Sequence, residues 1–110
     1  MEEDKIIIIT RKPFNDWLSG LKNPIAIYQL DTRLKEIRDG VIRGSKPLRK
    51  NVHEIRIQIA SGVRIYYFKD GANIVVLLAA GLKGSQDEDI KLAIKEKERY
   101  LNETSNSKRI

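Results

Sequence analysis

Three short segments in the second half of the chain, separated by two-residue turn signals, constrain the fold more than any other feature. Val52–Ala60 alternates, with Ile55, Ile57 and Ile59 on one face and Glu54, Arg56 and Gln58 on the other. That period of two is the pattern of a strand with one buried face. Ser61-Gly62 is a hairpin turn signal, and Val63–Lys69 reads as the next strand. Asp70-Gly71 is a second turn. Asn73–Ala80 is nearly all apolar, as an interior strand is.

The flanking segments supply one more strand and three helices. Lys5–Thr10 holds four consecutive isoleucines, Ile6 to Ile9, and reads as a short strand buried on both faces. Pro13 opens a helix where a missing N–H costs nothing. Phe14, Trp17, Leu18 and Leu21 form its apolar face, with Trp17 in the core, and Gly20 weakens its end. Asn23-Pro24 starts a second helix with Asn as cap and Pro just inside. Its stripe of Ile27, Leu30, Leu34 and Ile37 runs to a stop at Gly40. The two helices form a hairpin. Val41–Asn51 carries Arg43, Lys46, Arg49 and Lys50 with Gly44 and Pro47 and reads as a basic loop. Ser85 with Glu88 fits a capping box. The helix that follows buries Ile90, Ala93, Ile94 and Leu101. Asn102–Ile110 is polar and expected to fray.

There is no internal repeat and no interdomain linker. The expected architecture is an α+β domain over residues 1–101 in the order β-α-α-β-β-β-α, followed by a tail over 102–110. Its curved, mainly antiparallel four-stranded sheet carries the helical hairpin on one face.

A chain of 110 residues buries a core without disulfides or metal. It has no Cys and a single His, His53, which excludes a disulfide framework and a thiolate or multi-His metal site. No cofactor is expected. No apolar run is long enough to span a bilayer. The acidic opening Met1-Glu2-Glu3-Asp4 is unlike the positive start of a signal peptide. A soluble, cytoplasmic protein with no membrane partner is therefore expected. Lys and Arg number 21 against 15 Asp and Glu, a net charge of +6. That excess favours a polyanion or acidic-protein partner and says nothing of reaction type.

One ordered set of residues goes further. Glu54-Ile55-Arg56 is followed by Gly62-Val63-Arg64-Ile65-Tyr66-Tyr67, a hydrophobic strand, Gly81-x-Lys83, Gln86 and Asp89-Ile90-x-x-Ala93. This resembles the RelE/ParE toxin superfamily, in its HigB-like, phage-derived killer-protein branch. There a Glu-Leu-Arg strand meets a Gly-x-Arg-hydrophobic-Tyr-Tyr strand, and a Gly-x-Lys-x-x-Gln element opens the last helix. The resemblance implies the toxin of a type II toxin–antitoxin pair. It implies a ribosome-dependent mRNA endoribonuclease acting on ribosome-bound mRNA, neutralised by a helix-turn-helix antitoxin from the adjacent gene. A minority of the superfamily poisons DNA gyrase instead. A non-catalytic basic nucleic-acid-binding module is a third alternative.

Metal-free RNA cleavage needs a base for the ribose 2′-OH, an acid for the leaving oxygen and positive charge on the transition state. By resemblance, Arg64 takes the phosphate. Its position between Val63 and Ile65 sets it outside their apolar layer. Arg56 either clamps a second phosphate or pairs across the strands with Glu54. Lys83 ends the last strand as a phosphate ligand or as a solvated turn residue. His53 alone has an unperturbed pKa near neutrality and is a candidate base, or else packing. Arg43, Lys46, Arg49, Lys50 and Gln86 are candidates for RNA contact, and Tyr66 for stacking on a base. Asp87 and Asp89 stabilise the last helix's dipole or orient a base. Several ribonuclease members carry a basic residue where this chain has Glu54, and some have a Tyr or His where this helix opens with Gln86-Asp87-Glu88-Asp89. The acid–base pair is not identifiable from the residues.

Overall fold

The computed structural model describes residues 5–58 and 62–107. Its elements are β1 (Ile7–Thr10), α1 (Lys12–Ser19), α2 (Pro24–Arg38), β2 (Ser45–Pro47), β3 (His53–Ile57), β4 (Val63–Lys69), β5 (Ile74–Leu82) and α3 (Gln86–Ser107). The strands form one sheet in the order β1-β5-β4-β3-β2. β1 runs parallel to β5, and the other pairs are antiparallel. The α+β class and the hairpin face stand, but the sheet is five-stranded and mixed where a four-stranded one was expected.

The added strand is β2, drawn from the segment read as a basic loop. Its three residues pair with β3, Lys46 opposite Glu54 and Pro47 opposite His53. Pro47 is tolerated because β2 is an edge strand and needs fewer N–H donors. Lys50 and Asn51 then both take positive φ, 61° and 60°, the backbone that closes a two-residue hairpin turn. Leu48 and Val52 meet across it, with Leu48 N–H donating to Val52 O at 2.8 Å. Too short for a periodic signal, β2 is written only in its turns.

The Asn23 cap forms as expected, its side chain accepting from the Ile25 and Ala26 amides at 2.8 and 3.2 Å. Gly40 ends α2 at φ 89°. The buried stripe of α2 is Ala26, Leu30 and Ile37, with Leu34 partly buried and Ile27 exposed on its rim. Ala26, Leu30, Leu34, Ile37 and Phe14 pack on Ile55, Ile57, Val63, Ile65, Tyr67, Val75 and Leu77. Trp17 lies against the same core, and the Tyr67 hydroxyl hydrogen-bonds Ser45 Oγ at 2.7 Å.

The opposite sheet face is covered too. Ala93 and Tyr100 of α3 close over Val52, Tyr66, Phe68, Val76, Leu78 and Ala79. Leu101, expected in that core, is 41% exposed. α3 also runs on to Ser107, past the point where polar composition predicted fraying. Arg11, between β1 and α1, holds it there. Its Nε donates to Glu96 at 2.7 Å, its terminal nitrogens donate to Glu103, and its guanidinium lies 5.5 Å from the Tyr100 ring centre. The predicted strand end at Ile59 and Ala60, and Ser61 of the turn, lie outside the described residues.

Candidate active site

The β3–β4–β5 register builds the site. On the face that α3 covers, Arg56 stands opposite Arg64, and Arg64 opposite Gly81. In the next row Glu54 stands opposite Tyr66, and Tyr66 opposite Ala79. A bulge follows immediately. Tyr66 pairs with Ala79 but Tyr67 with Leu77, so Leu78 is the extra residue. Such irregularities re-aim side chains beside sites.

Arg64 does not lie outside the packed layers. It is 6% exposed, and its Nε lies 3.7 Å from Oε1 of Glu54, itself 2% exposed. Tyr66 is wholly buried, so the expected stacking surface is absent from its ring. Both corrections share one cause: α3 packs on the strand face that alternation alone leaves open. Among the described residues, the Arg64 Nε at 3.7 Å has no hydrogen-bond partner, nor has the Tyr66 hydroxyl. Burial, with Glu54 and Asp89 nearby, pushes the Tyr66 hydroxyl up to about 12, against the opposing pull of Arg64. It therefore keeps its proton at neutral pH.

Asp89, partly buried, lies at the edge of this cluster. A Cβ on Gly81 would fall 2.0 Å from Asp89 Oδ2, so the glycine makes room for the first turn of α3 to rest on the sheet. The Ser85 hydroxyl donates to the same carboxylate at 2.6 Å. It is thus engaged with Asp89 where a capping box with Glu88 was expected. The contact of Asp89 with the sheet at Gly81 was missed because only the fold brings α3 over β5.

Three of the predicted residues converge. Arg56, Arg64 and Lys83 line one cleft of about 250 Å³ with Ile57, Gln58, Gly62 and Val63. Lys83 is anchored there by its N–H to Gly62 O at 3.3 Å. Among the described residues this lining holds three cations and no carboxylate or imidazole. Such a lining can bind phosphate and neutralise charge on it.

The remaining predicted residues are dispersed. His53 belongs to the other strand face, its ring 5.3 Å from that of Tyr67, and it lines a separate cleft with Asn51, Phe68 and Lys97. Arg43 is ion-paired with Glu36 of α2, which holds its guanidinium above and the carboxyl below their usual ranges. Lys46, Arg49 and Lys50 are exposed along the β2–β3 edge hairpin. That edge starts beside the cleft, where Arg56 N–H donates to Gly44 O at 3.1 Å. Gln86 opens α3 in a shallow depression with Gly84, Ser85, Asp87 and Glu88. Among the described residues no helix is long and apolar enough to cross a membrane, and no group of acidic or His side chains could hold a metal ion.

This arrangement of sheet and helices is the fold of the RelE toxins. A free-state arginine-to-alanine double mutant of Escherichia coli toxin RelE superposes with a TM-score of 0.64 at 19% identity, covering 83% of this chain and 96% of that one. The RelBE2 toxin–antitoxin complex of Mycobacterium tuberculosis gives a TM-score of 0.57 at 18% identity, over 72% of this chain and 99% of its counterpart. No protein-family model matches the chain. An uncharacterized protein of Haemophilus influenzae is 36% identical over 88 residues, 80% of this chain and 89% of its own length. The chain belongs to the same family as that Haemophilus protein.

Proposed function

We propose that the protein is the toxin of a type II toxin–antitoxin pair and acts as a ribosome-dependent mRNA endoribonuclease of the HigB-like branch. The observation that carries this is the convergence of Arg56, Arg64 and Lys83 on one cleft of a RelE-type fold. In this reading the three cations hold the scissile phosphate and its developing charge. Glu54 is a positioning residue that aims the Arg64 fork. Because the described lining of the cleft holds no acid–base pair, cleavage relies on the ribosome to position the mRNA and enforce in-line geometry. Purified protein is therefore expected to cut mRNA on ribosomes and to cut free RNA poorly. The partner is an antitoxin encoded next to the toxin, as the RelBE2 assembly is a toxin–antitoxin complex. Lys46, Arg49 and Lys50 steer its approach electrostatically.

The test is expression without the partner, followed by pulse labelling. Growth arrest with protein synthesis stopping first supports the ribonuclease. DNA synthesis stopping first transfers the protein to the gyrase-inhibiting reading. Normal growth with soluble, folded protein removes the toxin reading altogether.

A further inference from the structure

Next to the basic cleft lies a second groove of different character. Ile57 and Gln58 line both. Beyond them the groove, about 280 Å³, is bounded by Tyr28, Gln29, Thr32 and Arg33 of α2. Tyr28 is 72% exposed, and Ile25 beside it, three residues back on the helix, is exposed as well. The Tyr28 ring therefore supports no core. The groove's one cation is already committed, since Arg33 donates to the Arg43 carbonyl and pairs with Glu36. The Thr32 hydroxyl is turned back onto the Tyr28 carbonyl at 3.0 Å. What remains is an open aromatic ring flanked by the Gln29 and Gln58 amides.

We propose that this groove is a nucleobase subsite for single-stranded RNA whose phosphate lies in the adjoining cleft. The proposal rests on the RNA-binding reading above and deepens it. A cationic cleft that shares two lining residues with a neutral, aromatic groove matches a nucleotide, which is charged at its phosphate and flat and uncharged at its base. Unstacked bases in single strands lie on aromatic side chains, and every base offers a π-face for this. Carboxamides both donate and accept, so Gln29 and Gln58 can meet a base edge. The phosphate contacts set position, and the groove adds discrimination.

The experiment compares two labelled six-residue strands by fluorescence anisotropy: hexaadenylate and a ribose-phosphate strand lacking bases. Each is titrated with the full chain as wild type, Tyr28→Ala and Tyr28→Phe. Tyr28→Ala is expected to weaken hexaadenylate binding about tenfold, leave the base-free strand unchanged and keep the wild-type melting temperature. Tyr28→Phe keeps most of the affinity, since the ring remains. If wild type binds both strands and Tyr28→Ala binds them equally well, the subsite is overturned while the cleft reading stands. If wild type binds neither strand, both fall. If Tyr28→Ala keeps full RNA affinity and instead loses its complex with the antitoxin, the groove belongs to a protein partner and the proposal is equally overturned.

Discussion

Truncating Arg64 takes a charge from a place where another depends on it. Glu54 is as deeply buried as its partner, and removing one member of a buried ion pair strands the other. Arg64→Ala is therefore expected to lose roughly 3 kcal/mol of stability, read by urea denaturation, with Glu54→Gln in the same chain restoring part of it. An Arg64→Ala protein as stable as wild type would show that Glu54 does not need the guanidinium. Arg56 is the cleaner probe, because it is exposed while lining the same cleft. Arg56→Ala should change stability by no more than about 0.5 kcal/mol. On the ribonuclease function proposed above, it should slow single-turnover cleavage of ribosome-bound mRNA on the order of a hundredfold. Wild-type cleavage by this variant would take Arg56 out of the site. At Gly81 the constraint is space. Gly81→Ala must displace the Asp89 carboxylate, at a cost of about 1–3 kcal/mol, and unchanged stability would mean that the carboxylate turns aside freely.

At the scale of elements, α3 is held by a clamp far along the chain from its own sequence. Glu96 is buried, and Arg11 is its shortest ion-pair partner, at 2.7 Å against 3.4 Å for Arg99. Arg11→Ala is expected to raise hydrogen exchange of α3 amides beyond Ala93 while β4 and β5 stay protected. Uniform loss of protection would instead make the clamp part of global stability. The elements with strong local signals were legible: the alternation of Ile55 and Ile57, the Asn23 cap, the Gly40 stop and the apolar run of β5. β2 was not, because the three residues Ser45–Pro47 carry no periodicity. Arg56, Arg64 and Lys83 could be chosen from sequence, yet their environment could not. Whether a polar strand face meets solvent or a helix depends on where α3 docks, and that is decided by Ala93, Tyr100 and Arg11 together. Tyr28 was missed because an aromatic residue on an amphipathic helix carries no local mark of which side it occupies.

The whole molecule should register two of its four tyrosines in its response to alkali. Burial and the hydrogen bond to Asp70 push Tyr100 up to about 12, with Arg11 opposing, and burial does the same for Tyr66. In the unfolded chain both ionise near 10. Between these values the folded state holds protons that the unfolded state has lost. The stability they contribute is therefore complete below pH 10 and lost as pH rises through about 12. Denaturation midpoints across that window, alongside absorbance of the ionised phenolate, check it. A flat stability profile would mean that neither hydroxyl is shielded. The parallel pairing of β1 with β5 has a different consequence, one of timing. Ile7 lies beside Ile74, so the first strand synthesised waits for the last, and such distant pairings are slow to form. Arg64 and Gly81 likewise share a row only once β5 is in place. Nascent chains halted before residue 74 should thus remain protease-sensitive, and on the function proposed above a chain still being synthesised has no assembled cleft to turn on the ribosome that is making it.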